Sequence, residues 1–173
     1  PSDLRGAGEN AKELNCTTAV IGIGQWPAGW PEEHPMDFTE YRNSMRDGLM
    51  NFTEAVSGKI RVVVRSVHEN PLGNIISACP PKDWRNPEVI RIYNRILFEV
   101  CEDLSLRFID TTAIISPLYD TGEDWCHYNN SVGLSEALHF ARLLEHDTFF
   151  NGTGTDKSLS VERTSLVRMP LRP

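Results

Sequence analysis

Apolar residues occur along the chain in two spacings, and the two spacings alternate. Three short runs rich in β-branched residues are mostly apolar, which is typical of strands buried on both faces of a sheet. These predicted strands are 17–23, 60–66 and 106–115. Three longer segments carry apolar residues at every third or fourth position, which predicts amphipathic helices. These predicted helices are 38–56, 87–104 and 131–145.

Residues at the helix ends support these boundaries. Asp37 or Thr39 can cap the first predicted helix, Gly58 can end it, and Pro87 suits the first turn of the second. In the third helix the apolar spacing selects a set of side chains that we expect to be buried. This set is Leu134, Leu138, Phe140, Ala141 and Leu144.

The order of elements, β-α-β-α-β-α, favours parallel strands joined by right-handed crossovers. It predicts an α/β protein, a flavodoxin-like three-layer sandwich with a parallel sheet. Such sheets usually have about five strands, so we expect this one to lack its first strand or strands. The predicted organisation is an N-terminal loop or remnant at 1–14, an incomplete α/β domain at 15–147 and a C-terminal tail at 148–173.

Charge and hydropathy exclude two classes of function. The 173 residues contain 17 Lys plus Arg and 24 Asp plus Glu, a formal net charge of −7, which argues against binding of a nucleic-acid backbone. No stretch approaches the roughly 18 consecutive apolar residues of a membrane span. Hydrophobic residues make up 40% of the chain and charged residues 24%, as in folded globular proteins.

Four cysteines leave two interpretations open, free thiols or disulfides. They are Cys16, Cys79, Cys101 and Cys126. None belongs to a C-x-x-C pair, so we expect no structural zinc site.

Four N-x-[ST] sequons favour the secretory pathway, in which disulfides persist. The sequons begin at Asn15, Asn51, Asn129 and Asn151. The third lies two residues after His127, a candidate catalytic residue described below, and a glycan there would crowd the catalytic site. We therefore expect glycans at Asn15, Asn51 and Asn151 only. We therefore expect a secreted or luminal glycoprotein.

Functional residues of such a sheet gather in the loops that follow the carboxyl ends of the strands. The three loops here are 24–35, 67–86 and 118–130, and each contains one histidine. The histidines are His34, His68 and His127. Asp124 precedes His127 by three residues, so its carboxylate can accept the Nδ1 proton and leave Nε2 free to act as a base.

Three motifs resemble those of a known family. They are G-Q-W-P at 24–27, V-R-S at 64–66 and D-W-C-H-Y at 124–128. Over about residues 15–145 the chain resembles the C-terminal part of the SGNH (GDSL-type) hydrolase superfamily, in its branch of carbohydrate O-acyl esterases and acetyltransferases. The resemblance implies a Ser-His-Asp triad with His127 as general base and Asp124 as its orienter. It also implies an acylated carbohydrate substrate and no cofactor or metal.

Two departures from the family pattern modify these expectations. No strand followed by G-D-S occurs, so we expect the nucleophilic serine upstream of Pro1 and this chain alone to be inactive. Gly24 stands where the family has an oxyanion-binding asparagine, so Gly24 and Gln25 are the candidate oxyanion donors. By the same resemblance Arg65 and His68 are candidate substrate-binding residues.

Simpler interpretations stay open for each feature. Asp124 and His127 could form a loop-stabilising hydrogen bond, and His68 could be an ordinary solvated histidine. Each tryptophan could stack on a sugar or could cap the core. The tryptophans are Trp26, Trp30, Trp84 and Trp125.

Two other functions compete with the esterase. One is a non-catalytic secreted SGNH-like domain that binds glycan or protein through its tryptophan-rich loops. The other is a metal-dependent hydrolase using His34, His68, Asp124 and His127, although their spacing matches no zinc motif.

Overall fold

A computed structural model describes residues 4–28, 35–69, 85–118 and 128–151, with side chains up to residue 145. The helices are α1 (Leu4–Glu13), α2 (Phe38–Val56), α3 (Pro87–Asp103), α4 (Thr112–Ile115) and α5 (Asn130–Asn151). The strands are β1 (Thr18–Ile21), β2 (Arg61–Arg65) and β3 (Arg107–Ile109). Single 3-10 turns occur at Trp26–Ala28 and Ser116–Leu118. The chain divides within α5 into two compact units, Pro1–Ala137 and Leu138–Pro173.

The three strands form a parallel sheet in the order β1-β2-β3. Thr18 pairs with Arg61 at the start of the β1-β2 ladder, and Arg65 pairs with Ile109 at the end of the β2-β3 ladder. A parallel sheet of three strands connected by helices confirms the predicted α/β fold.

Helices α2 and α3 cover one face of this sheet. Their apolar side chains share one core with Ile21 and Val64 of the sheet. At its centre the rings of Tyr41 and Tyr93 stack, with centroids 3.9 Å apart and planes 11° apart, and neither side chain is exposed. The two helices are also joined at the surface by the ion pair of Arg42 and Glu99.

The helix ends follow from their capping residues. Asp37 Oδ1 accepts hydrogen bonds from Thr39 N at 2.8 Å and Glu40 N at 3.3 Å at the start of α2. Asn86 Oδ1 accepts from Val89 N at 3.1 Å at the start of α3, where Pro87 occupies the first turn. These bonds satisfy backbone donors that have no partner inside the helix.

Of the two interpretations of the N-terminal segment, a loop or a remnant of another element, the loop is wrong for residues 4–13, which form α1. Gly6 and Gly8 lower the intrinsic helix propensity of this segment, and that weakened the sequence signal. Gly8 is nevertheless required for packing, since a Cβ there would lie 2.7 Å from the Cβ of Ala55 on α2. Arg5 and Glu54 form an exposed ion pair at 2.8 Å across the same contact.

The third strand is shorter than predicted. It ends at Ile109, and Thr112–Ile115 form α4 instead. Asp110 Oδ1 accepts a hydrogen bond from Thr112 N at 2.9 Å, which turns the chain out of the sheet. Ile115 is buried in this short helix, and periodicity alone cannot separate a short buried helix from a strand.

Two cysteines can be assigned, and neither forms a disulfide. Cys16 and Cys101 are free thiols, so the expected disulfide bonds are not found among the described residues. Cys101 is fully buried in the core, and burial raises the pKa of its thiol to about 12. Cys79 and Cys126 lie outside the described residues.

The described helices include none that is both long and apolar enough to cross a membrane. The last of them, α5, runs to Asn151 and so continues beyond the predicted end at 145. Its predicted buried set is confirmed only in part, because Phe140 is buried whereas Leu134 and Leu138 are 62% and 52% exposed. Val132, which was not in that set, is also buried.

Asn94 of α3 fixes the chain just beyond β2. Its Oδ1 accepts a hydrogen bond from Val67 N at 2.6 Å, and its Nδ2 donates to Val67 O at 3.0 Å. Val67 is buried, so without this side chain its two backbone polar groups would lose their partners. One asparagine therefore takes the place of a strand partner for the residue next to His68.

We predict that Asn94→Ala lowers the free energy of unfolding by about 2 kcal/mol, the typical cost of leaving buried backbone groups unpaired. Urea unfolding measures this difference. Asn43→Ala is the matched control, because Asn43 is exposed on α2 and its replacement should leave stability unchanged or slightly higher. Equal unfolding free energies for the Asn94 variant and the wild type would contradict the role given to this side chain.

Candidate functional site

Polar side chains from several elements meet beyond the carboxyl ends of the three strands. Those that bond to one another form what we call the Glu136 cluster. Its members are Arg65, Ser66, His68, Thr111 and Glu136. Arg65 ends β2, Thr111 follows β3, and Glu136 lies on α5. Parallel strands place their carboxyl ends side by side, and this explains why residues distant in sequence can meet here.

Glu136 is the common partner of this cluster. Its Oε1 lies 2.9 Å from His68 Nε2, 3.1 Å from Thr111 Oγ1 and 3.4 Å from Arg65 NH1. The side chains of Glu136 and His68 are only 12% and 14% exposed. His68 is therefore not the solvated histidine of the simpler interpretation.

Opposing effects act on the pKa of the Glu136 carboxyl. Burial alone would raise it, because desolvation disfavours the charged form. The hydrogen bond and charge of His68 act in the other direction, as do the charge of Arg65 and the hydrogen bond from Thr111. These interactions outweigh burial and lower the pKa, so Glu136 is ionised at neutral pH.

Two arrangements of the proton on His68 fit the geometry, because Nε2 lies 2.9 Å from both Arg65 NH1 and Glu136 Oε1. A guanidinium can only donate, and an ionised Glu136 can only accept. Nε2 either carries a proton and donates it to Glu136, or lacks one and accepts a hydrogen bond from Arg65. In both arrangements Arg65 NH1 also donates to the carbonyl oxygen of Ser66 at 3.1 Å.

Two buried hydroxyl groups extend the same network. Thr111 Oγ1 donates to Glu136, so the hydrogen bond of 3.1 Å between Thr111 and Ser66 has Ser66 Oγ as its donor. Ser66 Oγ in turn accepts a hydrogen bond from Thr111 N at 2.9 Å. Neither Ser66 nor Thr111 is exposed, so these bonds form away from water and fix the direction of each proton.

Gly24 and Gln25, the predicted oxyanion donors, lie in the turn that follows β1. Gly24 has φ +105°, in the region that favours glycine, and a Cβ at this position would collide with the Tyr41 hydroxyl. Gln25 Nε2 donates to the carbonyl oxygen of His68 at 3.1 Å. One of the two Gln25 amide hydrogens is thus engaged, and the side chain joins the turn after β1 to the segment after β2.

Gly22, before this turn, makes room for a neighbouring side chain. The Arg65 side chain lies across Gly22, where a Cβ would come within 2.7 Å of the guanidinium carbon. Gly22 thus leaves room for the Arg65 guanidinium to reach His68 and Glu136.

Tyr128 packs against His68, with ring centroids 5.9 Å apart and planes 86° apart. Its hydroxyl is buried and makes no hydrogen bond among the described residues. Burial, and secondarily the charge of Glu69, raises the pKa of the Tyr128 phenol to about 12. The phenol is therefore neutral at physiological pH and can act as a hydrogen-bond donor.

The four described site candidates lie in this region, although their predicted roles stay predictions. Gln25, Arg65 and His68 are connected by the contacts above, and Gly24 precedes Gln25. His127 and Asp124, the predicted base and its orienter, lie outside the described residues, as does His34. Within the described part of the chain, no three His, Cys, Asp or Glu side chains are grouped closely enough to hold a metal ion.

Glu136 was not among the residues predicted for the site, although it shares a face of α5 with Phe140, which was predicted to be buried. Val132, Glu136 and Phe140 recur every four residues, which places a charged residue on the same stripe as two buried apolar ones. A glutamate in that position signals a buried partner, because an unpaired buried carboxylate is costly. Ser66 belongs to the V-R-S motif at 64–66, whereas no motif in the sequence includes Thr111.

The described sequons differ in what their side chains do. Asn15 is exposed and has φ +52°, and Asn51 is partly exposed on α2. Asn129 Oδ1 accepts hydrogen bonds from Ser131 N at 3.0 Å and Val132 N at 3.3 Å at the start of α5. Asn151 ends α5, and its side chain lies outside the described residues.

We predict that Glu136→Gln destabilises the protein in a pH-dependent way. Because folding lowers the Glu136 pKa, the carboxylate stabilises the fold above its unfolded pKa, and this contribution is lost as the pH falls through the folded value. The loss in unfolding free energy should be about 2 kcal/mol near neutral pH, as for a buried charge-assisted hydrogen bond. It should diminish at pH values below about 4.

Urea unfolding of both proteins across this pH range measures the difference. Glu102→Gln, an exposed glutamate on α3, is the control and should show almost no change at any pH. A Glu136→Gln loss that stayed constant with pH would mean that the charge plays no part.

The chain matches no protein-family model and none of the curated proteins. Its structure is similar to the crystal structure of the lipase/acylhydrolase from Enterococcus faecalis, with a TM-score of 0.56 and 17% sequence identity. The match covers 81% of this chain and 67% of that chain.

A second solved structure has a TM-score of 0.47 and 14% identity over 72% of this chain and 63% of its own, too low a similarity to support an argument. The first of these similarities shows that the chain shares the fold of that lipase/acylhydrolase.

Proposed function

We propose that this chain is part of a serine esterase or O-acyltransferase that acts on acylated, principally acetylated, carbohydrate. The observation that supports this most is the Glu136 cluster, a buried network of ionised and hydroxyl groups beyond the carboxyl ends of the strands. In this fold class that edge is where substrates bind. The similarity in fold to a lipase/acylhydrolase supports the same class of reaction.

The proposed reaction has two steps. A serine upstream of Pro1 attacks the acyl carbonyl carbon while His127 Nε2 takes the hydroxyl proton and Asp124 accepts the Nδ1 hydrogen. The tetrahedral intermediate collapses to an acyl-enzyme, and His127 returns the proton to the departing sugar oxygen. His127 Nε2 then deprotonates water or a second sugar hydroxyl, whose oxygen attacks the acyl carbonyl carbon. The second tetrahedral intermediate collapses with cleavage of the serine ester bond, and His127 returns the proton to the serine oxygen.

The described residues have two proposed roles in this reaction, stabilising the oxyanion and binding the carbohydrate. The backbone N–H groups of Gly24 and Gln25 are the proposed donors to the oxyanion of the intermediate. Arg65 and His68 would bind the carbohydrate, since both are held rigidly by Glu136 and neither is fully buried. Tyr128, the residue after His127 in the sequence, packs on His68, and this supports a role for the segment that follows β3 in the proposed reaction.

The secretory setting is also part of the proposal. Its support is the four sequons, of which the one at Asn15 is exposed and so accessible to a glycan. The proposed glycosylation sites are Asn15, Asn51 and Asn151.

We predict that the catalytic serine will be labelled outside this chain. The protein that includes the residues preceding Pro1 should react with a fluorophosphonate probe, and mass spectrometry should locate the adduct on a serine upstream. The 173-residue chain alone should neither be labelled nor hydrolyse 4-nitrophenyl acetate. An adduct on a serine within these 173 residues would contradict the upstream nucleophile.

We predict that His127→Ala abolishes acetyl-esterase activity in the same extended protein. Loss of the general base should reduce kcat by at least about a thousandfold, with little change in the unfolding midpoint. His139→Ala is the matched control, because His139 lies on α5 outside the cluster, and it should retain activity. Unchanged activity in His127→Ala, or no acetyl-esterase activity in the wild type, would favour the alternative, a non-catalytic secreted domain that binds glycan or protein.

A further inference from the structure

Among the described residues, Trp26 has the most exposed aromatic side chain. It is 74% exposed, compared with 43% for Phe38 and 39% for Phe98. Exposure of this extent means that Trp26 does not cap the core, which was the simpler interpretation of the tryptophans. An exposed indole at this position leaves a large apolar surface in water and so has the chemistry of a binding residue.

The turn that carries Trp26 is firmly anchored. Ala28, at the end of the same 3-10 turn, is fully buried. Pro27 O accepts a hydrogen bond from Met36 N at 2.9 Å, and the Tyr93 hydroxyl donates to Met36 O at 2.8 Å. A rigid base therefore presents Trp26 outward.

Arg85 holds the indole ring from one side. Its guanidinium carbon lies over the ring, 5.5 Å from the centroid, in a cation–π arrangement. Arg85 is only 3% exposed and directly precedes Asn86, the N-cap of α3. The ring is thus oriented before any ligand arrives, which lowers the entropy cost of binding.

The surroundings of Trp26 are polar. The preceding residue, Gln25, donates its amide to the backbone of His68, and this places the turn beside the Glu136 cluster. A pyranose ring has an apolar C–H face and a rim of hydroxyl groups, so it suits one flat aromatic ring bordered by hydrogen-bonding groups. A stable protein partner would instead need about 800 Å² of complementary surface on this side.

We propose that Trp26 is a sugar-stacking subsite in which the indole face away from Arg85 packs against the C–H face of a pyranose ring. The identity of the ligand as carbohydrate rests on the proposed function. The subsite would hold a sugar unit of the acylated substrate beside the predicted oxyanion turn. Its recognition is by ring shape and is independent of the acyl group.

The binding test uses the 173-residue chain and an array of O-acetylated and unacetylated pyranose oligosaccharides. The wild-type chain should bind at least one of them, and Trp26→Ala should weaken that binding at least about tenfold, whereas Trp26→Phe should retain part of it. Leu134→Ala removes an exposed apolar side chain from α5 and should bind like the wild type. Urea unfolding should show that both alanine variants remain as stable as the parent.

In ¹⁵N-labelled chain, one of the four tryptophan indole N–H signals should shift when the bound oligosaccharide is added. That signal should be missing from Trp26→Phe. Binding that is equal in the wild type and Trp26→Ala would overturn the subsite. So would the absence of binding to any pyranose on the array, or a Trp26-dependent self-association seen by sedimentation in place of glycan binding.

Activity of the extended protein separates this proposal from the esterase proposal. Trp26→Ala should raise KM for the acetylated oligosaccharide about tenfold and leave hydrolysis of 4-nitrophenyl acetate unchanged, since the small ester has no sugar ring to stack. Trp26-dependent glycan binding without any esterase activity would overturn the proposed function and keep the subsite. Esterase activity with the same KM in the wild type and Trp26→Ala would overturn the subsite and keep the proposed function.

Discussion

The ion-pair network at Glu136 is the interaction on which the arrangement of the strand ends depends. A carboxylate this buried is tolerated only because His68, Arg65 and Thr111 all face it. These partners follow different strands, so the position of one carboxylate fixes the ends of β2 and β3 relative to the start of α5. The Ser66 hydroxyl completes the network, because it accepts a hydrogen bond from Thr111 N and donates one to Thr111 Oγ1.

This network differs from a surface salt bridge in what it contributes. Exposed pairs such as Arg5 with Glu54 add little to stability, because water and mobile ions screen them. At Glu136 the same charges are largely removed from water, so losing one partner leaves another without compensation. The network thus specifies one geometry among side chains that could otherwise rotate. Rigid placement of this kind is what recognition of a defined substrate requires.

Much of the fold could be predicted from the sequence, because three apolar runs and two strongly amphipathic helices encode a parallel α/β arrangement. Helix α2 begins and ends where its spacing and Asp37 predict. The incorrect predictions have local causes. Gly6 and Gly8 lower the helix propensity of the segment that forms α1. The hydrogen bond to Asp110 ends the third strand early, and the apolar residues that follow form α4. Of the residues that meet in the Glu136 cluster, only those near a strand end in sequence could be singled out beforehand. Glu136 comes from a distant helix, and its role depends on tertiary contacts that no local pattern contains.

Gly24 and Tyr41 are linked by an asymmetric constraint. Two separate conditions exclude a side chain at position 24, the positive φ of its backbone and the tyrosine hydroxyl that fills the space. Shortening residue 41 to phenylalanine would relieve only the second, so glycine would still be needed at 24. Divergence can therefore proceed at position 41 without a change at 24, but hardly in the opposite order. Glycine at position 24 is therefore the more tightly constrained of the two residues.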